Sequence, residues 1–344
     1  MALRPSAGPS SAPIRVSVLV TAYQHARYIA RALDSVLEQD EAVSFEILVG
    51  DDASTDGTRG IISEYATAHR DRIQIVFPES NLGLDGKALL NELLERARGE
   101  YVAMLDGDDH WTSPVKLRRQ VAYLDEHPEC SMCFHDVVWR HEDGSVPDVA
   151  YNGGDRPTEV TLHELVAGNP VASCSPVIRR QAIDPLPAWF FEQPWGDWQL
   201  YVIAGKHGKI HYLPDLMGVH LTHPNGMWSR LSRLEGLEGI ARCQEGMRGF
   251  VPPEVEWRRR QALADTWVKR AAEHARLGDH AGARRCLRES FRVRPFDARR
   301  LRRGGGERRR IALWLRTNVV EALWGRRALL RRAQRWRRSA GQRR

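Results

Sequence analysis

The sequence predicts an α/β fold in which a mostly parallel sheet is flanked by helices and followed by an all-helical C-terminal extension. Three observations carry this. Short apolar runs alternate with stretches of helical periodicity through the first hundred residues. Polar, acid-rich clusters directly follow the apolar runs, at the strand ends where open α/β sheets bind ligands. Residues 232–298 then read as helical.

The elements follow in order. Residues 16–20 (Val-Ser-Val-Leu-Val) form a continuous apolar run, as a strand buried on both faces requires. Residues 28–39 place Ile29, Leu33, Val36 and Leu37 on one helical face. Residues 45–49 are a second strand, 58–68 a second helix, 73–77 a third strand and 87–97 a third helix, with Gly99 as its stop signal. Residues 101–105 are a fourth strand, ending at Asp106. Beyond residue 110 the pattern is mixed: helix over 114–127, strand over 131–140, a turn at Asp143-Gly144, helix over 198–207 and strand over 209–213. The α/β domain runs out near residues 228–231.

This divides the chain into a leader (1–13), an α/β domain (14–231), a helical extension (232–298) and an Arg-rich tail (299–344). The leader is rich in Ser, Pro and Ala and lacks a signal-peptide core, so it reads as disordered. No run approaches the ~20 apolar residues that span a bilayer. In the extension, Trp267, Ala271, Gly278, Ala283, Leu287, Ser290 and Pro295 match one tetratricopeptide-like helix pair. A generic helical hairpin is the alternative. One hairpin cannot bury its faces alone, so it is expected to dock on the catalytic domain or a partner.

The net charge of +7 is unevenly spread. The tail holds 17 Arg against Glu307 and Glu321, a net of +15, leaving −8 for the rest of the chain. An acidic body with a basic tail implies two surfaces with different partners. The tail's arginines are interrupted by Trp314, Leu315, Val319, Leu323, Trp324 and Trp336. That mixture suggests a helix lying on an anionic membrane surface; a solvated tail is the plainer reading, and nucleic acid is less favoured. The five cysteines are odd in number and irregularly spaced, as in a reducing, cytoplasmic setting. Cys130-x-x-Cys133 has no second pair, and its surroundings read as a buried strand rather than a zinc site.

Asp106-Gly107-Asp108-Asp109 is the most informative tetrapeptide. Clustered carboxylates repel and raise one another's pKa, a cost that a divalent cation removes. Mg²⁺ or Mn²⁺ takes hard oxygen ligands, commonly one or two carboxylates plus substrate phosphates. Asp51 and Asp52 close the second strand and serve no capping need, whereas Ser54, Thr55 or Asp56 suit the cap of the next helix. A carboxylate at 51 or 52 can accept a hydrogen bond from a nucleobase N–H or ribose hydroxyl. Asp197, in Trp195-Gly196-Asp197-Trp198, opens a helix among aromatic residues that offer a sugar-stacking surface and a partly dry site. It is the candidate general base, and an N-cap is the plainer reading. His223 lies in a turn-rich stretch, as a surface histidine or as a metal ligand or phosphate contact.

Together, residues 16–23, 51–58, 106–117, 196–198 and 223–229 resemble family-2 glycosyltransferases with the GT-A fold. The resemblance implies inverting transfer from a nucleoside-diphosphate sugar, UDP being the commonest donor type, to a saccharide or lipid-linked acceptor. By that resemblance Thr21, Tyr23 and Asp52, with Asp51 beside them, hold the nucleoside, and Asp106 and Asp108 form the DxD. Asp108 or Asp109 is the direct metal ligand, Asp197 deprotonates the acceptor, His223 lies near metal and diphosphate, and Trp111 with Lys116 shapes the floor. Gln24 stands where Asn is usual, and Leu221 where an Arg is common.

Cell-surface polysaccharide or glycolipid synthesis at the inner face of the membrane is the expected setting. The alternative is a non-catalytic nucleotide-binding scaffold acting through its helical extension and basic tail. A nucleotidyltransferase would need a Gly-rich phosphate loop, and residues 16–27 have none.

Overall fold

The computed structural model describes residues 13–153, 156–295 and 310–315. The chain divides into two compact units, one up to Arg230 and one from Leu231.

The first unit is built on a single mixed sheet. Its first half alternates strand and helix: β1 (Val16–Ala22), α1 (Ile29–Leu37), β2 (Phe45–Asp51), α2 (Thr58–Ala68), β3 (Ile73–Val76), α3 (Lys87–Arg96) and β4 (Tyr101–Asp106). These elements lie where the apolar runs and helical periods place them. Then come β5 (His110–Trp111), α4 (Lys116–Glu126), β6 (Cys130–His141), β7 (Val149–Ala150), β8 (Glu159–Val160), α5 (Leu162–Leu165) and β9 (Val177–Arg179). The unit closes with α6 (Ala188–Phe191), α7 (Asp197–His207) and β10 (Lys209–Thr222).

The strand order is β3-β2-β1-β4-β9-β6-β10-β5, with β7 beside β6 and β8 beside β10. β1, β2, β3 and β4 are mutually parallel, and β6 and β10 run the same way because β9 is antiparallel to both β4 and β6. The inserted β9 was not foreseen; three residues are too few to display a period. β10 is also longer than the expected 209–213. It carries Pro214 and shifts register between Leu213 and Leu216 and again before Val219, which breaks the alternation that marks a strand.

Val18, Val20, Ile47, Val49, Ala103 and Leu105 are fully or almost fully buried, joined from the helices by Ile29, Leu33 and Ile62. At ~25 cal/mol per Å² of apolar surface removed from water, such continuous runs are what hold a parallel sheet between helical layers. Cys130, Cys133 and Cys174 lie in this core as free thiols.

The second unit is α8 (Arg233–Gly246), α9 (Pro253–Arg276) and α10 (His280–Val293). Ser232 and Glu235 form a reciprocal capping box at the start of α8. α9 and α10 form a hairpin whose turn uses Gly278 at φ +81°, a conformation open to glycine at no steric cost. Asp279 caps α10 through Gly282 N–H at 2.7 Å. Leu263, Ala264 and Val293 pack with Ala241 of α8, and Ala271, Cys286 and Leu287 form a second small core, with Trp267 against both.

Residues 310–315 are helical, and the Arg310 side chain is buried. It donates to the Ser290 carbonyl at 2.9 Å and stacks on Phe291 at 4.2 Å. This one arginine of the basic segment packs within its own unit. The remainder of the expected membrane-facing tail, 299–309 and 316–344, lies outside the described residues. Among the described residues no helix is long and apolar enough to cross a membrane.

Candidate active site

The site lies at the C-terminal ends of β1, β2 and β4 and along the last residues of β10. Parallel pairing sets Thr21 beside Asp106 and Ala22 beside Asp51. Acids that are 55 residues apart in sequence therefore share one sheet edge. Thr21 Oγ1 donates to Asp106 Oδ1 at 2.9 Å. Burial and the charges of Asp108 and Asp109 push the Asp106 carboxyl up to about 7.

Asp108 points at two histidines. His223 Nε2 is 2.9 Å from Asp108 Oδ2, and His25 Nε2 is 3.7 Å from it. One ligand atom from each of His25, Asp108 and His223 lies within 4.8 Å of the others. Burial alone raises the Asp108 carboxyl, but the His223 hydrogen bond and the charges of His25 and His223 outweigh it and hold it low. Gly107 makes the approach of His25 possible, because a Cβ there would lie 2.9 Å from His25 Nδ1.

His25 had no signal in the sequence. Its placement depends on the turn after β2, whose expected role was helix capping. Gly57 occupies the α2 N-cap without a side chain of its own, and Asp56 Oδ1 accepts from the first helical amide, Thr58 N–H, at 3.1 Å. Ser54 Oγ accepts from Gln24 N–H at 2.7 Å, Thr58 Oγ1 from His25 N–H at 2.9 Å, and Asp56 Oδ2 from Ala26 N–H at 3.0 Å. Three polar side chains grip three successive backbone amides and hold the His25 loop against the carboxylates.

Asp51 is fully buried. Its Oδ1 accepts from Ser54 N–H at 2.9 Å and from Arg59 Nε at 2.7 Å, while Oδ2 has no hydrogen-bond partner among the described residues. Asp52 Oδ1 accepts from Leu82 N–H at 2.7 Å. Both acids are thus partly spent on fixing loops, a demand their sequence position did not reveal. Tyr23 is exposed and lines a cleft of about 410 Å³ with Tyr28, Asp56, Asn225 and Arg230.

Two expected site residues face elsewhere. Asp109 is buried; its Oδ1 accepts from Leu221 N–H at 2.8 Å and its Oδ2 lies 3.1 Å from His220 Nδ1. It ties the loop after β4 to β10 and lies outside the His25–Asp108–His223 cluster, where direct ligation was the alternative to Asp108. A backbone turn, Asp109 N–H to the Asp106 carbonyl at 3.0 Å, spans these residues, and the neighbouring carboxylates of Asp108 and Asp109 meet different partners. Trp111, expected to shape the floor of the site and so to line the donor pocket, is a core residue: it is 3% exposed, and its indole N–H donates to the Cys174 carbonyl at 2.8 Å. The buried Lys116 ammonium sits 4.1 Å above its ring.

Asp197 opens α7, and Asn169 Nδ2 donates to its Oδ2 at 2.8 Å. Burial raises its carboxyl, and the Trp198 amide, Asn169 and His220 only partly offset that. His220, also unmarked in the sequence, lies within electrostatic reach of Asp106, Asp108, Asp109 and Asp197. Burial disfavours its charge, but Asp109 above all, then Asp108 and Asp106, raise it to about 9. His220 is thus held charged chiefly by its contact with Asp109, and Asp197 lies within its electrostatic reach.

An uncharacterized protein of Mycobacterium tuberculosis (strain H37Rv) is 37% identical over 214 residues, 62% of this chain and 60% of that protein. The chain therefore spans less than two thirds of the length of this curated relative. The solved structure of Staphylococcus aureus TarS residues 1–349 in complex with UDP superposes with a TM-score of 0.58 at 20% identity, covering 90% of this chain and 92% of that one. TarS is named a poly(ribitol-phosphate) β-N-acetylglucosaminyltransferase, and it is 35% identical over 115 residues, 33% of this chain and 19% of TarS. The mannosyltransferase PcManGT from Pyrobaculum calidifontis, solved with GDP-Man and Mn²⁺, gives a TM-score of 0.54 at 22% identity, covering 92% and 89% of the two chains. Residues 17–157 match the family model "Glycosyl transferase family 2". Residues 17–157 therefore form a segment that matches glycosyltransferase family 2, on the GT-A fold shared with these solved structures, with a helical region after it.

Proposed function

We propose that this protein is an inverting glycosyltransferase that moves a sugar from a nucleoside-diphosphate donor, a UDP-sugar, to a hydroxyl acceptor in cell-surface polysaccharide or glycolipid synthesis. The observation that carries the proposal is the convergence of Asp108, His25 and His223 beside the Asp106 strand end; Asp197 lies within electrostatic reach of His220. The setting rests on the relatives' names, among them TarS.

The donor set suits a divalent cation. It offers one carboxylate and two imidazoles, and the Nδ1 atoms of His25 and His223 are buried without hydrogen-bond partners among the described residues. Mn²⁺ tolerates mixed nitrogen and oxygen ligands better than Mg²⁺, which favours oxygen. Bound by these residues, the cation supplies neutralising charge to the leaving diphosphate. Asp109 stays outside that set in this reading.

The chain's own residues do the rest. Tyr23 and the free Oδ2 of Asp51 bind and orient the nucleoside, the latter by accepting a base N–H or ribose hydroxyl. Asp197 takes the proton from the acceptor hydroxyl. Its raised pKa makes it a better proton acceptor, and Asn169 holds one oxygen and so sets the direction of the other. His220 offsets the negative charge that gathers as carboxylates and phosphates meet.

A thermal-shift panel of UDP, GDP, ADP and CDP, each with and without Mn²⁺, tests the reading. Selective stabilisation that needs both one nucleotide and Mn²⁺ is expected. No nucleotide response under any condition counts against it.

A further inference from the structure

The two tryptophans flanking Gly196-Asp197 have different fates. Trp198 is buried, and its indole N–H donates to the Leu165 carbonyl at 2.6 Å, so it belongs to the packing of α7. Trp195 instead pairs with Trp228, their ring centroids 4.3 Å apart and the planes inclined at 35°. Trp195 is the buried member; Trp228 is 53% exposed, and Met227 beside it is 48% exposed.

This pair is held in place by more than its own contact. Trp195 adopts φ +57°, a conformation that a bulky L-residue rarely takes and that persists where surrounding contacts over-determine it. Those contacts are present. Trp195 N–H donates to Asp85 Oδ2 at 3.0 Å, and the Lys87 ammonium donates to the Gln193 carbonyl. A Cβ on Gly196 would meet the Lys87 side chain at 2.9 Å. The strained residue stands two positions before the candidate base.

Trp228 stands five positions after His223 of the candidate cation cluster, beyond a turn closed by Gly226 N–H on the His223 carbonyl at 3.0 Å. The Trp195–Trp228 contact therefore joins the segment that carries the base to the segment that carries the donor-side histidine. An acceptor hydroxyl must reach both the base and the donor's anomeric carbon, so the acceptor body lies along that junction. The exposed indole there offers a rigid apolar plane. A pyranose ring offers the matching surface, since its axial C–H bonds make one face apolar while its rim stays polar.

We infer that the outward face of Trp228, backed by Trp195, is the acceptor subsite, and that the acceptor is a saccharide whose ring stacks upon it. The inference rests on the glycosyl-transfer reading above. It is independent of the donor base and of any membrane contact.

Saturation-transfer NMR on the full chain, with UDP and Mn²⁺ present, tests it. The probes are methyl β-D-glucopyranoside, its N-acetylglucosamine analogue, methyl α-D-mannopyranoside and, as an apolar control, 1-hexanol. For at least one glycoside, saturation is expected to concentrate on the protons of one ring face. Trp228→Ala should lose that signal, Trp228→Phe should keep most of it, and the Mn²⁺-dependent UDP thermal shift should be unchanged in both. If UDP and Mn²⁺ bind but no glycoside does, or if Trp228→Ala binds glycoside as the parent does, the acceptor subsite is wrong and the transfer reading survives. Saturation of hexanol alone assigns the surface to an alkyl chain and also overturns the inference. If neither UDP nor any glycoside binds, both readings fall together.

Discussion

His223 Nε2 lies 2.9 Å from Asp108 Oδ2, although 115 residues separate the two in sequence. Only the return of β10 toward the end of β4 brings them together. Asp108→Ala and His223→Ala should each abolish the Mn²⁺-dependent part of the nucleotide thermal shift. With ligand at 100 times Kd that part is worth about 2.7 kcal/mol in the parent protein. A full Mn²⁺ response in Asp108→Ala would remove this carboxylate from the ligand set.

Asp197→Asn separates binding from chemistry. The amide keeps the side chain's shape but cannot take a proton. Transfer should fall by about 10²–10⁴-fold, the usual contribution of a general base, while the nucleotide shift is retained. Initial-rate measurement decides this, and normal transfer by the variant would refute the assignment.

Asp109→Ala should behave unlike Asp108→Ala. It leaves the Leu221 amide and His220 without their buried partner, at a cost of about 1–3 kcal/mol. The Mn²⁺-dependent shift should survive. Because the folded His220 is raised to about 9 from 6.5, its pairing contributes fully below pH 6.5 and fades as pH rises through 9. The stability gap between parent and variant, read from urea unfolding at pH 6 and pH 10, should narrow at the higher pH. An equal gap at both would show that His220 contributes no charge.

Lys116 makes the opposite prediction. Burial pushes its ammonium down to about 7 from 10.5, and its Nζ has no hydrogen-bond partner among the described residues. Between those values the unfolded chain holds more protons than the folded one, so this residue's cost is full below pH 7 and shrinks as pH rises toward 10.5. Lys116→Met keeps a straight apolar chain over Trp111. It should be at least as stable as the parent at pH 7 and lose that advantage by pH 10. A large loss of urea resistance at pH 7 would show the ammonium to be favourably paired.

Much of this site was legible in the residues. Asp51, Asp52, Asp106 and Asp108 each follow an apolar run, and the end of a buried strand is visible wherever a continuous apolar stretch stops. The helical extension was equally readable from its spacing and from Gly278. That Asp109 turns away from its neighbours was not readable. Adjacent carboxylates look alike in sequence, and the backbone turn that separates them appears only once the chain is folded.

By itself, then, the sequence determined the alternation of strand and helix, the acids at the strand ends and the family they match, because hydrophobic period and strand termination are local properties of a chain. Tertiary structure alone decided that His25 and His223 flank Asp108, that His220 pairs with Asp109, and that Trp228 covers Trp195 while Trp111 joins the core. Those relations depend on long-range strand pairing and on loops gripped by side chains far away in sequence, and no local pattern records which distant residue a folded loop will meet.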